Sequence, residues 1–220
     1  MKAVLFDFGG TLDSDGLTWP DRFFPLYRDA GLDLTRDAFL KAFYASDDHL
    51  AERFALTGVG LAKTLELQVG CVLESLPGAD PGLMPAISGR FLEDCRRFFA
   101  RNKPVLERLK RRYRLGIVSN FYGNLPDILA SEGLDGYFDV VAESARLGHM
   151  KPQKEIFLHA TRALGVTPDQ CMMVGDSVPR DMRGAEGLAM SHALLNPSAA
   201  ACCPTAARLT TLPDVERLLQ

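Results

Sequence analysis

A chain of 220 residues, 47% of them apolar and 24% charged, has the composition of a folded protein and the length for one medium domain or a core with a smaller insertion. A formal net charge of −3 leaves no electrostatic footprint for nucleic acid or an anionic membrane surface. Five cysteines, Cys71, Cys95, Cys171 and the adjacent Cys202 and Cys203, form neither a disulfide framework nor a zinc motif, which points to thiols in a reducing compartment.

In chain order, residues 3–6 (AVLF) form an apolar run halted by Asp7 and then Gly9-Gly10, which predicts a buried strand ending in a turn. The run is too short for a secretory signal, and nothing later reaches membrane-spanning length, so a cytoplasmic location is expected. From about residue 14 to residue 100 apolar residues recur at three- and four-residue steps (Phe23, Phe24, Leu26, Tyr27; Phe39, Leu40, Phe43, Tyr44; Leu61, Leu65), which predicts four or five packed helices. The basic cluster at residues 108–114 sits among apolar residues and reads as a solvated helix face leading into a strand.

Beyond it strands and helices alternate. Residues 114–118 end at Ser119-Asn120, residues 138–142 follow, residues 171–174 end at Gly175-Asp176, and residues 192–195 end at Asn196-Pro197. Helical stretches at 125–132, 154–164 and 180–188 separate them. This rhythm predicts an α/β fold, a doubly wound parallel sheet with helices on both faces. Its core is residues 1–14 and 100–220, and residues 15–99 form an inserted all-helical cap.

Ligands of an open parallel sheet bind at the carboxyl ends of the strands. Asp7 and Thr11, Ser119 and Asn120, Lys151, and Asp176 fall at such ends or beside them. The set suits phosphoryl transfer: a carboxylate can attack phosphorus, two carboxylates can hold magnesium, and an ammonium with hydroxyl donors can meet the charge on the phosphoryl oxygens.

Four segments, in order, resemble the motifs of the haloacid dehalogenase superfamily: Asp7-Phe8-Gly9-Gly10-Thr11-Leu12, Val118-Ser119-Asn120, Lys151-Pro152, and Val174-Gly175-Asp176-Ser177 with Asp181. The helical insertion is placed as in members with an α-helical cap. The resemblance implies Asp7 as covalent nucleophile and magnesium ligand, with the Gly9 carbonyl and Asp176 as further ligands of Mg2+. It gives Ser119 and Asn120 to the phosphoryl oxygens, with Thr11 also on the substrate-binding side and steadying the nucleophile loop. Lys151 offsets the clustered negative charge, and Asp181 orients metal waters or Lys151 from behind, or is a plain helix-start residue. The implied substrate is a small phosphorylated metabolite. Trp19, Arg22 and Phe23 are nominated to face it from the cap.

One departure matters. Phosphatases of that superfamily carry a second aspartate two residues after the nucleophile, a general acid of the kind worth about 10² to 10⁴ in rate. Here the position is Gly9. Three readings follow: a phosphatase whose substrate leaves easily or which recruits a proton donor from the cap or the substrate; a haloacid dehalogenase, or a phosphonatase-like hydrolase for which Lys41 or Lys63 is nominated to form the Schiff base; or a non-catalytic phosphate-binding pseudoenzyme. Asp13 and Asp15 are the nearest substitutes in sequence.

Overall fold

The apolar runs become the strands of one six-stranded, all-parallel sheet with order β3-β2-β1-β4-β5-β6. The computed structural model describes residues 1–196 and 205–219; Pro197, Cys202 and Cys203 lie outside the described residues. Strand β1 is Ala3–Phe6, β2 Arg114–Ser119, β3 Val140–Glu143, β4 Cys171–Gly175 and β5 Ser191–Leu195. Strand β6, Ala207–Leu209, escapes sequence reading because three residues with Arg208 at the middle make no apolar run.

Both faces of the sheet are covered, which is why its central strands show no polar alternation: every residue of β1 and β4 is buried. Val4, Phe6, Leu115 and Ile117 join one hydrophobic cluster, while Ala3, Leu5, Val118 and Met173 join another beneath Ile156 and Phe157. Chain order reverses at β1, which pairs with β2 on one side and β4 on the other. The carboxyl ends of these three strands therefore flank the crevice where such sheets bind ligands.

Between β1 and β2 lie four α-helices: α1 (Trp19–Asp29), α2 (Arg36–Arg53), α3 (Leu61–Ser75) and α4 (Met84–Lys110). Thr18 and Thr35 cap α1 and α2, accepting hydrogen bonds from the backbone N–H of Asp21 and Ala38. Residue 100 falls inside α4, whose 27 residues pack on α1, α3 and β2 alike. Its basic end is solvated, with Arg108 ion-paired to Glu216 at 2.8 Å and Leu109 buried beneath.

The remaining α-helices among the described residues are α5 (Leu125–Ser131), α6 (Ser144–Leu147), α7 (Lys154–Ala163), α8 (Arg183–Glu186) and α9 (Val215–Leu218). The helix expected over 180–188 is broken up: a π turn, Val178–Met182, precedes the short α8. The Asp181 side chain turns back to accept from the Ser177 N–H at 2.9 Å, which the wider turn permits.

Aromatic rings fasten the helical layer to the strand ends. Phe91 of α4 stacks on Phe23 with centroids 3.8 Å apart, Trp19 meets Phe91 edge-on at 5.4 Å, and Trp19 meets Phe121, just past β2, at 5.7 Å. Phe91 also carries the Arg22 guanidinium 4.1 Å from its centroid. Phe91→Ala is therefore expected to cost about 3–5 kcal/mol, read as a lowered urea midpoint; a loss under about 1 kcal/mol would show that this seam collapses to fill the gap.

Candidate active site

The loop leaving β1 is shaped by what it must pass. Asp7 N–H bonds the Val174 carbonyl at 2.9 Å, continuing the β1–β4 ladder past the strand. Gly10 has φ of 85°, and a Cβ there would lie 2.7 Å from the Asp176 carboxylate, so only glycine lets the loop press against β4. Gly9 has no positive φ. Its constraint is steric: a Cβ would come 3.3 Å from the Trp19 indole nitrogen.

Asp7 is buried and anchored through one oxygen. Its Oδ1 accepts from the Phe8 N–H at 2.7 Å and from the Ser119 hydroxyl at 2.7 Å, and lies 2.8 Å from Lys151 Nζ. Its Oδ2 has no protein partner among the described residues. Lys151 Nζ also lies 2.7 Å from Asp181 Oδ1. Burial alone would push the Lys151 ammonium to release its proton, but Asp181 and Asp7 beside it outweigh that and raise its pKa. Asp181 has both oxygens occupied, one by Lys151 and one by Ser177, and it is fully buried. It thus sits behind Lys151 with no oxygen left for the cavity.

Asp176 ends β4. Its carboxyl pKa is pushed well up by burial, and by the charges of Asp181 and Asp7, against the pull of Lys151. Ligand oxygens of Asp7, Asp176 and Asp181 lie within 4.8 Å of one another. Three buried carboxylates against one ammonium leave excess negative charge, and hard oxygen donors suit a divalent cation. Asp176 Oδ2 is unclaimed by the described residues, as is the Gly9 carbonyl. The donor set thus fits magnesium, with Asp7, Asp176 and Gly9 presenting free oxygens.

Two expected substrate contacts are redirected. Thr11 is fully buried, away from the cavity, and its hydroxyl donates to Asp176 Oδ1 at 3.2 Å, so it braces a carboxylate and not a substrate. The Asn120 side chain is spent on the Lys151 backbone, accepting from its N–H at 2.7 Å and donating to its carbonyl at 3.2 Å. Asn120 still lines the cavity, but its amide positions Lys151.

The cavity, of about 130 Å³, is walled on the sheet side by Asp7, Gly9, Ser119, Lys151 and Asp176. From the helices it receives Trp19, Phe43 and Asp47, from the loop after β2 Phe121 and Tyr122, and from the π turn Arg180. Of the three nominated cap residues only Trp19 reaches it. Phe23 is core, and Arg22 forms a buried ion pair with Asp13 at 2.9 Å.

Residues 1–188 match the protein-family model for haloacid dehalogenase-like hydrolases. The chain belongs to that family. Among relatives of this haloacid dehalogenase-like hydrolase, a glyceraldehyde 3-phosphate phosphatase of Methanothermobacter thermautotrophicus is 29% identical over 200 residues, 89% of this chain and 86% of that protein. The haloacid dehalogenase-like hydrolase domain-containing protein 3 of Bos taurus is 41% identical over 86 residues, 39% of this chain and 34% of that protein, so the chain spans about a third of that relative. A solved HAD phosphatase from Thermococcus onnurineus superposes with a TM-score of 0.61 at 26% identity, covering 100% of this chain and 98% of that one.

The sequence substitutes for the missing acid of this haloacid dehalogenase-like hydrolase are both engaged elsewhere. Asp13 is fully buried and accepts from the Gly10 N–H at 2.6 Å, the Trp19 indole at 2.6 Å and Arg22 at 2.9 Å. Asp15 is held by Arg101, with two contacts of 2.6 Å, and does not line the cavity. A carboxylate on the cavity wall that the sequence reading did not single out is Asp47. The signal was present: it lies four residues after Phe43 on the helix stripe that carries Phe39, Phe43 and Leu50, an unusual place for a carboxylate.

Trp19 is the single tryptophan, so its emission reports on Gly9 directly. Gly9→Asp is expected to displace the indole from its buried place, giving red-shifted emission and a loss of about 1–3 kcal/mol of stability. Unchanged emission and unchanged stability would show that the site accepts the aspartate without moving Trp19.

Proposed function

We propose that this hydrolase is a magnesium-dependent phosphatase that acts on a small phosphorylated metabolite through an aspartyl-phosphate on Asp7, with residues 15–99 serving as the cap over the site. The observation that carries the reading is the Asp7 carboxylate: anchored by three donors through one oxygen, it stands at the strand reversal beside Asp176 and opens on a cavity. A nucleophile needs that fixed orientation. The names of relatives, a glyceraldehyde 3-phosphate phosphatase and a phosphoserine phosphatase among them, agree with a phosphomonoester as substrate class.

In this reading the Ser119 hydroxyl and Lys151 ammonium hold Asp7 aligned. Lys151, itself set by Asp181 and Asn120, also faces the charge that gathers on the phosphoryl oxygens. Thr11 keeps Asp176 turned toward the cavity. A magnesium ion held by Asp7, Asp176 and the Gly9 carbonyl would neutralise the two carboxylates and the phosphoryl group together. The excess negative charge of the buried cluster favours this over a dehalogenase, which has no use for a cation. No helix of the described residues is long and apolar enough to cross a membrane, and the net charge of −3 offers nothing to nucleic acid.

Release of inorganic phosphate from 4-nitrophenyl phosphate, with and without magnesium, tests the reading; halide release from a 2-haloacid, or binding of a phosphate analogue without turnover, would replace it. Asp7→Asn should remove turnover while the melting temperature stays close to that of the parent, because an amide is a poor nucleophile. Activity above a tenth of the parent would take Asp7 out of the nucleophile's role. Asp176→Ala should raise the magnesium concentration for half-maximal rate at least tenfold or abolish the rate, and an unchanged magnesium response would remove β4 from the metal site.

A further inference from the structure

We propose that Asp47, on α2, is the general acid and base of this hydrolase, supplying from the helical layer the proton that Gly9 cannot. The inference rests on the phosphatase reading above and names the residue that completes its chemistry.

Asp47 and Asp7 wall the same cavity of about 130 Å³, one from the helices and one from the sheet. The two carboxyls are held alike: each is fixed through Oδ1, and each has an Oδ2 with no protein partner among the described residues. Their surroundings differ. Oδ1 of Asp7 meets an ammonium. Oδ1 of Asp47 accepts from the Tyr122 hydroxyl and, at 3.3 Å, from the Gln68 amide, both neutral. Burial pushes the Asp47 carboxyl up from its usual range; Tyr122 lowers it, neighbouring Asp48 raises it, and Arg180 lowers it, with the balance upward. Two carboxyls in one site with environments of opposite kind is the arrangement that separates a nucleophile from an acid.

Elimination among the other charged and buried polar groups leads to the same residue, with the 51% exposed phenol of Tyr44 the one competitor on the cavity wall among the described residues. Arg180 lines the cavity but does not give up a proton. Tyr122 is raised well above the ordinary phenol range, chiefly by burial, and its proton is directed at Asp47. Lys151 is committed to Asp7 and Asp181. Asp176 faces the other carboxylates as a cation ligand, and Asp13 and Asp15 are engaged elsewhere.

The step balances. A carboxylate oxygen of Asp7 forms the bond to phosphorus while the bond from phosphorus to the leaving oxygen breaks. The leaving oxygen keeps that electron pair and takes the proton from Asp47 Oδ2, and the alcohol departs. Asp47, now a carboxylate, takes a proton from the water that attacks phosphorus. The phosphorus–Asp7 bond breaks, releasing inorganic phosphate and returning both residues to their starting states.

The test is a leaving-group series, from 4-nitrophenyl phosphate to simple alkyl phosphates, at saturating magnesium, on the full chain and on Asp47→Asn and Tyr122→Phe. Asparagine still accepts from Tyr122 and Gln68 but has no transferable proton. The parent should depend weakly on leaving-group pKa. Asp47→Asn should lose about 10² to 10⁴ on the alkyl esters and far less on 4-nitrophenyl phosphate, so that the dependence steepens. Tyr122→Phe, which frees Oδ1 but keeps the acid, should lower all members by a similar factor. A parent that is already steep overturns the proposal without any variant. So does an equal loss across the series in Asp47→Asn, which would make the residue a brace between α2 and the loop after β2, or a steepening in Tyr122→Phe as large as in Asp47→Asn. A parent releasing phosphate from no member refutes the phosphatase reading itself, which is distinct from an active but steep parent.

Discussion

A buried ammonium organises this site. Lys151 is 2% exposed, and its charge is kept by the carboxylates on either side. Removing one member of such a buried pair typically costs about 3–5 kcal/mol, because the partner is left charged in a poor solvent. Here the loss would reach further, since without Lys151 the carboxylates of Asp7, Asp176 and Asp181 would face one another uncompensated. The features around it read as means of placing this one group: the π turn that swings Asp181 back, the Asn120 side chain that clamps the Lys151 backbone, and the Ser119 hydroxyl that sets Asp7 at the right distance.

The second constraint is apolar. The rings of Phe23, Phe91, Trp19 and Phe121 form a continuous seam from the helical layer to the end of β2, and Phe8 extends it toward Phe99. Helix α4 carries the same continuity in its backbone, packing on α1 and α3 at one end and on β2 at the other. The cavity is therefore walled by groups whose relative placement is set by packing as well as by polar contacts, and polar side chains from α2 enter it at defined positions.

Much of this was legible in the sequence for a simple reason. A residue at the end of a short apolar strand has its location fixed by local pattern, so Asp7, Ser119 and Asp176 could be brought together before any contact was known, while Lys151, in the turn between α6 and α7, was placed by the motif resemblance. Direction could not. Thr11 and Asn120 belong to the right loops, but which neighbour their side chains meet depends on fractions of an ångström, and both turned to brace charged residues. Asp47 was hidden for a different reason: its place over the cavity follows from how α2 packs on the rest, and helical periodicity gives a face without saying what that face overlies. Strand β6 was too short and too polar to announce itself.

The contact between Gly9 and Trp19 couples residue 9 to the buried polar cluster of the helical layer. The indole crowds the place where a side chain at residue 9 would begin, its nitrogen 3.3 Å from a Cβ there, and its N–H is bonded to Asp13, itself paired with Arg22. Residues 9, 13, 19 and 22 are thus one interdependent set. An aspartate arriving at residue 9 meets an indole already bonded in place, and losing the tryptophan first strands a buried carboxylate without one of its donors. Each single change is disfavoured on its own, so a side chain at residue 9 is accommodated only together with changes at Trp19 and its partners.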